Sequence, residues 1–465
     1  MNKRCKMQIP AALILIVTLS NISFAAEPDI GGIWMGTVKI PGGEVRVVFK
    51  ISKDKNGSLS ATMDSPDQGA ANIPVSKVSF ENNKLLLDVQ LIRGSFEGTL
   101  KPDGTFDGQL KQSGISMPLV LKRTDEAPKA SRPQEPKKPY PYIEEEITIR
   151  NPEANIKLAG TLTIPRSEKP CPAVILISGS GAEDRDETIF GHKPFWVLAD
   201  YLTRKGIAVL RVDDRGVGGS TGNTADSTSE DFAGDIISEV NFLKSRKEID
   251  PAKIGLAGHS EGGIIAPIAA VKSPDVAFIV LLAGTGVTGE EILYLQNKLI
   301  LKNAGASDEA LAKQLEFLNK QFDVIKNESD EKILEKKTRE ILTNQIGNNK
   351  ELIEKTLNEV TSPWFRFFLI YDPKPVLTKV KCPVLALNGS LDLQVAPKEN
   401  LSAIEEALKE GGNKNYNIKE FPGLNHLFQK AKTGAVSEYS QIEESISQDV
   451  LDVVAKWILE QVGKK

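Results

Sequence analysis

Two rhythms of apolar and polar residues divide the chain. From residue 27 to 124 short runs alternate apolar and polar positions and are broken by turn residues, the period-2 signature of half-buried strands. Val45-Arg46-Val47-Val48-Phe49-Lys50-Ile51 and Ser58-Leu59-Ser60-Ala61-Thr62-Met63 flank Lys55-Asn56-Gly57, which predicts a hairpin. Gly94-Ser95-Phe96-Glu97-Gly98-Thr99-Leu100 is nearly repeated as Gly104-Thr105-Phe106-Asp107-Gly108-Gln109-Leu110, so a second hairpin with matched faces is expected there. The segment reads as a small antiparallel β domain, a barrel or a sandwich. Five prolines and several lysines between 125 and 142, with few apolar side chains, predict a semi-rigid linker.

From Ile143 the pattern changes to apolar runs alternating with helical periods, which predicts an α/β fold with a mostly parallel sheet covered on both faces. Eight strands are expected, at 146–149, 160–164, 173–177, 207–212, 253–257, 278–282, 384–387 and 416–420. Phe232, Ile236, Val240 and Leu243 recur at helical spacing behind Ser229, which is read as the helix cap. Between 287 and 379 the alternation stops. Leu311, Leu315, Leu318, Phe322 and Ile325 form one apolar helical stripe, and the stretch is expected to be a helical cap inserted at the carboxyl end of a strand, beside the crevice where open sheets bind ligands. Trp364, Phe365, Phe367, Phe368 and Tyr371 crowd its end, either as an apolar pocket or as core packing.

Composition narrows the partners. A formal charge of -4 on 465 residues, with no basic stripe carrying interleaved aromatics, argues against nucleic acid. Lys3, Arg4 and Lys6 precede an apolar run from Ile9 to Leu19 and the small residues Ser23 and Ala25, so residues 1–25 read as a signal peptide and the mature chain as exported, periplasmic or extracellular, with no stable membrane span. Cys171 and Cys382 each open an apolar run and are expected to be compact buried side chains. With three histidines and no His/Cys cluster, neither a metal site nor a cofactor is expected. Trp34, in Gly31-Gly32-Ile33-Trp34-Met35-Gly36, could stack a sugar or an apolar ligand, although core packing is the commoner role of such a residue.

The chemistry lies in Gly258-His259-Ser260-Glu261-Gly262, which follows an apolar run and precedes small residues. A serine hydroxyl attacks a carbonyl only when it is exposed and a base takes its proton, and a sharp strand-to-helix turn supplies the exposure. Ser260 is therefore the candidate nucleophile. In the order Ser, acid, His, only His426 follows the last strand; His259 adjoins Ser260 and His192 lies upstream. Asp392, past a glycine turn after the seventh strand, is the acid that would orient His426, in preference to Asp372 before that strand or Glu399 on the next helix. For the oxyanion, Glu261 would supply one backbone N–H and Ser180 the other, with Gly181 as second choice, from Ser178-Gly179-Ser180-Gly181. Glu183-Asp184-Arg185-Asp186 and Asp213-Asp214-Arg215-Gly216 should exchange ion pairs that hold neighbouring loops; recognition of a substrate carboxylate by Arg185 or Arg215 is the alternative.

These stretches, with Asn388-Gly389-Ser390-Leu391-Asp392 and Gly423-Leu424-Asn425-His426, give residues 143–465 a resemblance to the α/β-hydrolase superfamily, and in particular to secreted bacterial serine esterases carrying G-H-S-E-G-G. The resemblance implies an eight-stranded sheet, a helical cap after the sixth strand and carboxylic ester hydrolysis through an acyl-enzyme. Ser178 departs from the pattern, standing where many members have histidine. The expected function is that of a serine carboxylesterase acting on a small-molecule ester. Two other readings are a serine aminopeptidase, in which Glu183 or Glu261 would bind a free amino terminus, and an envelope- or glycan-binding protein with a silent hydrolase domain.

Overall fold

The computed structural model describes residues 28–40, 43–68, 70–112, 115–126, 132–347 and 349–463. The signal peptide expected at 1–25 lies outside them. The chain separates into two compact units, one drawn from 28–36, 49–62 and 74–126, the other from 127 onward together with 37–48 and 63–73.

The N-terminal strands form a nine-stranded sheet in which the first, Gly32–Ile40, lies antiparallel beside the last, Ile115–Thr124. Both expected hairpins form, and in the second Phe96 pairs with Leu110 and Leu100 with Phe106. The barrel-or-sandwich expectation thus resolves into one continuous strand order. Trp34 is buried, donates its indole N–H to the Ile30 carbonyl at 2.8 Å and packs edge-on against Phe106. It serves the core.

Among the described residues from 132 onward there are eight strands: β1 (Ile143–Asn151), β2 (Ile156–Ile164), β3 (Cys171–Ile177), β4 (Ala208–Val212), β5 (Ile249–His259), β6 (Val276–Leu282), β7 (Val384–Gly389) and β8 (Tyr416–Phe421). Their order across the sheet is β1-β2-β4-β3-β5-β6-β7-β8; β2 meets both its neighbours antiparallel and every other pairing is parallel. The central strands are apolar on both faces because helices cover both. Ile175, Leu256 and Ile279 face α2 (Ser229–Lys244), α3 (Gly262–Lys272) and α10 (Pro397–Glu410), whereas Val174, Ala257 and Val280 pack with α1 (Pro194–Arg204) and α11 (Gln448–Gly463).

Between β6 and β7 the chain forms six helices, α4 (Gly289–Asn303), α5 (Asp308–Asn327), α6 (Glu331–Ile346), α7 (Lys350–Val360), α8 (Pro363–Ile370) and α9 (Lys374–Leu377). Five of them start on a side chain that accepts a free first-turn N–H, at Thr288, Ser307, Asp330, Asn349 and Ser362. The α5 stripe packs inward through Leu318, Phe322 and Ile325 against Leu334, Val360 and Leu369.

Two expectations are corrected. The cap of α2 is Thr228, whose N–H and hydroxyl both donate to Asp231, while Ser229 turns its hydroxyl to Glu261. Residues 132–142 are no spacer: Arg132 donates to the carbonyls of Phe190, Gly191, Ser440 and Ile442, and Gln134 bonds Ser445 and Ile446. A guanidinium with that many fixed acceptors ties the segment to the α/β unit.

Candidate active site

β5 ends at His259 and α3 begins at Gly262, so Ser260 and Glu261 make the whole turn between them. Ser260 adopts φ of +53°, a left-handed conformation that a non-glycine residue holds only when its surroundings enforce it. Its N–H is fixed to the Leu282 carbonyl at 2.8 Å and its carbonyl accepts from Gly263 N at 2.9 Å. The flanking glycines are required by close approach: a Cβ on Gly258 would lie 2.0 Å from the Gly262 oxygen, and one on Gly262 2.3 Å from the Ile177 oxygen. Local sequence thus forces the serine onto the apex, with the positive end of the α3 dipole behind it.

Asp392 sits on the turn after β7 and is 1% exposed. One carboxylate oxygen accepts the N–H groups of Gln394 and Val395 at 2.8 and 2.9 Å, and the other lies 2.8 Å from His426 Nδ1. His426 follows β8 in a loop braced by Asn425, whose side-chain oxygen accepts from Leu427 N and Gln429 N and whose amide donates to Gln429. The competing acids stand elsewhere. Asp372 is exposed and accepts from Lys374 N ahead of α9, and Glu399 is exposed in the first turn of α10.

His259 and His192 each have both ring nitrogens engaged. His192 is buried between the Ser445 hydroxyl and the Tyr439 carbonyl, at 3.0 and 2.8 Å, and burial holds its imidazole down at about 4. His259 meets Glu187 at 2.8 Å through Nδ1 and the His426 carbonyl at 3.0 Å through Nε2. Burial alone would push this ring down; the charge and hydrogen bond of Glu187, with the His426 carbonyl, outweigh it and hold the ring up at about 9. Glu187 was passed over in the sequence because nothing near it marks a partner; His259 lies 72 residues away.

In the loop after β3, Ser180 and Gly181 are exposed, and Gly181 has φ of +125°. The Gly179 N–H is already spent on Glu187 at 2.9 Å. Ser178, in place of the commoner histidine, donates its hydroxyl to Asp214 at 2.9 Å, and Asp214 also accepts from Glu183 N. Burial pushes the Asp214 carboxyl up to about 7. Arg185 clasps Asp213 with two nitrogens at 2.8 and 3.0 Å, and Arg215 clasps Asp235 at 2.7 and 2.8 Å. Both guanidiniums are therefore taken up, but only Arg185 pairs across the two acidic-basic clusters; Arg215 fastens its loop to Asp235 of α2 instead.

A polar contact that nothing in the sequence marks joins the cap to this site. Trp364 of α8 donates its indole N–H to both oxygens of Glu261 at 2.8 and 3.0 Å, and Ser229 donates to the same carboxylate at 2.6 Å. Trp364 also stacks on Phe368 with ring centroids 5.5 Å apart, whereas Phe365 turns into the cap core beside Phe322. Burial raises the Glu261 carboxyl above its ordinary range, and the bonds from Ser229 and Trp364 draw it partly back.

Cys171 and Cys382 are free thiols, and burial pushes both up, Cys382 to about 12. Among the described residues no group of three or more His, Cys, Asp or Glu side chains is arranged to hold a metal ion, and no helix is long and apolar enough to cross a membrane.

Residues 194–430 match the family described as serine aminopeptidase, S33, a span that contains Ser260, Asp392 and His426. Esterase EstD of Thermotoga maritima is 28% identical over 357 residues, covering 76% of this chain and 75% of that protein. A protein of 31.7 kDa from Escherichia coli, described as uncharacterized, is 28% identical over 226 residues, 47% of this chain and 74% of its own. Among solved structures, an esterase of Pyrococcus furiosus superposes with a TM-score of 0.44 at 16% identity, over 69% of this chain and 91% of that one.

Proposed function

The chain belongs to the serine aminopeptidase S33 family of α/β hydrolases, and on that premise we propose that it is an exported serine carboxylesterase working through an acyl-enzyme on Ser260. One observation carries the reading: a serine held at positive φ on a strand-to-helix apex, in a chain whose loops after β7 and β8 pair Asp392 with His426. With Nδ1 committed to Asp392, His426 Nε2 is the nitrogen that would take the Ser260 proton as the hydroxyl attacks an ester carbonyl. Asp392 fixes the tautomer and balances the imidazolium. The Glu261 N–H and a donor from Ser180 or Gly181 would hold the oxyanion, where donors already in place cost no reorganisation. His426 then protonates the leaving alcohol, and water repeats the cycle on the acyl-enzyme. The esterase relative supports ester over amide chemistry, and the basic, then apolar start of the chain supports export.

Ser260→Ala is expected to abolish p-nitrophenyl acetate cleavage and labelling by a fluorophosphonate while leaving the circular dichroism spectrum unchanged. Retained turnover would overturn the reading. Cell fractionation tests export, the mature protein being expected outside the cytoplasm.

A second reading, an aminopeptidase, is favoured by Glu183, a partly buried carboxyl beside Gly181 that burial and the neighbouring Glu187 and Asp184 push up to about 7. Glu261 does not favour it, since its carboxylate is occupied by Ser229 and Trp364. Cleavage of aminoacyl nitroanilides faster than nitrophenyl esters would establish peptidase preference.

A further inference from the structure

We propose that His259 and Glu187 are a buried, charged pair of positioning residues that sets two working loops of the candidate site at once: the oxyanion loop through Gly179 and the base loop through the His426 carbonyl. The inference rests on the serine-hydrolase reading and assigns a role to two side chains which that chemistry does not otherwise use.

Donors and acceptors around the ring set its charge. Nε2 of His259 faces a backbone carbonyl, which can only accept. Nδ1 faces Glu187 Oε1, and the same oxygen accepts the Gly179 N–H at 2.9 Å, as expected of an ionised carboxylate. With Glu187 ionised, both ring nitrogens carry hydrogen, so the ring is an imidazolium and has no lone pair left with which to act as a base. A neutral ring would turn a lone pair toward one of two acceptors in a site where both side chains are buried. The other titratable groups placed to influence the ring are Glu183, on the loop that carries Glu187, and Asp392 and His426, from the loops after β7 and β8. The His259 and His426 rings lie 4.7 Å apart at 46°.

The consequence for catalysis follows from distance. A Cβ built on Gly179 would sit 3.3 Å from the Ser260 Cβ and 3.7 Å from His259 Nδ1, so the gap between the oxyanion loop and the nucleophile is too narrow for a methyl group to fit at ease. Releasing the Gly179 N–H lets that loop, and the Ser180 and Gly181 donors beyond it, drift; a misplacement of about 1 Å costs on the order of 100-fold in rate. Releasing the His426 carbonyl loosens the base in the same step. Because the pair acts through other groups, its loss should fall on kcat rather than on ground-state binding.

The test uses the full-length mature chain, wild type, Glu187→Gln and His259→Gln. On a p-nitrophenyl ester both variants are expected to lose roughly 10- to 100-fold in kcat with KM changed less than about 3-fold. The wild-type kcat/KM profile should fall above about pH 9, where the His259 ring loses its proton, and that limb should be absent from both variants. Wild-type kcat in Glu187→Gln, or a wild-type profile flat from pH 8 to pH 10 alongside normal kcat in His259→Gln, would overturn the proposal. A readout independent of turnover and of variant folding is ¹⁵N NMR of histidine-labelled wild-type protein, where three imidazoles are easily distinguished. One ring is expected to stay protonated on both nitrogens from pH 7 to pH 8.5, and its signals should be missing from His259→Gln. A His259 ring that is neutral at pH 7.5 would sink the idea. Fluorophosphonate labelling of the wild type separates the two failures: no label on Ser260 refutes the hydrolase reading, whereas a labelled wild type with a neutral His259 refutes only the positioning pair.

Discussion

Trp364→Phe isolates the polar contact that joins the cap to the Ser260–Glu261 turn. Phenylalanine keeps most of the ring and its stacking on Phe368 but removes the indole N–H that serves both Glu261 oxygens. Glu261 is 3% exposed, so water cannot readily replace the lost donor, and only Ser229 remains. A hydrogen bond to an ionised group contributes about 1.5–3 kcal/mol, and Trp364 is half-buried, so the lost packing is the smaller part; the α/β unit should be destabilised by about 2 kcal/mol. In urea that is a midpoint lower by about 0.7 M for a slope of about 3 kcal/mol/M, followed by far-ultraviolet circular dichroism. The sign with pH is fixed. Glu261 already titrates above its usual 4.5, and losing a donor to its charged form raises it further, so the destabilisation should be smallest at acid pH and grow as pH rises from 4.5 toward neutral. A double-mutant cycle with Glu261→Gln should show a coupling of about 1 kcal/mol or more. An unchanged midpoint at pH 7, or full additivity in the cycle, would show that the Trp364–Glu261 bond contributes nothing to stability.

Other changes give equally definite outcomes. Asp392→Asn keeps an acceptor for the Gln394 and Val395 N–H groups but presents an amide donor to His426 Nδ1, forcing the wrong tautomer; kcat should fall about 10³- to 10⁴-fold in steady-state assays while the unfolding midpoint moves little. Gly262→Ala puts a methyl 2.3 Å from the Ile177 backbone oxygen, which cannot move without shifting β3, so a loss of about 3 kcal/mol or more, or insoluble expression, is expected in a melting assay. Thermal stability against pH should peak in the range where the two buried histidines both contribute fully. His259, raised to about 9, contributes stability that is complete below about 6.5 and lost as pH climbs through 9, on the order of 3 kcal/mol; His192, lowered to about 4, contributes stability present above about 6.5 and lost as pH falls through 4. His259→Gln should remove the alkaline decline, and an identical slope in that variant would contradict the assignment.

The sequence made some of this legible and not the rest, and the division is physical. Strands, helical crossovers and the cap follow from local periodicity, because burial on one or both faces dictates which positions are apolar. The Gly258 to Gly263 turn is legible from its glycine pattern, although only Gly258 answers to a contact a few residues away, while Gly262 meets Ile177 and Gly263 meets Gly284. Asp392 and His426 could be named from chain order alone, since the parallel sheet brings the ends of β7 and β8 to one edge. Polar pairing across the fold leaves no such trace. Ser229 has the composition of a helix cap, yet its hydroxyl bonds Glu261 and the capping passes to Thr228. Arg132 and Gln134 sit in a stretch whose composition signals a spacer, yet their side chains find fixed partners some 310 residues away. Glu187 with His259, and Trp364 with Glu261, belong to the same class: each is satisfied by a group that only the tertiary fold brings near.

In the proposed mechanism Ser260 carries the acyl group. Rapid quenching of the enzyme with p-nitrophenyl acetate, followed by peptide mass spectrometry, measures this directly. One added acetyl group is expected on the peptide containing Ser260, appearing within the first turnover and absent from Ser260→Ala. An active enzyme with no adduct on that peptide, or with the acetyl group on a different residue, would contradict it.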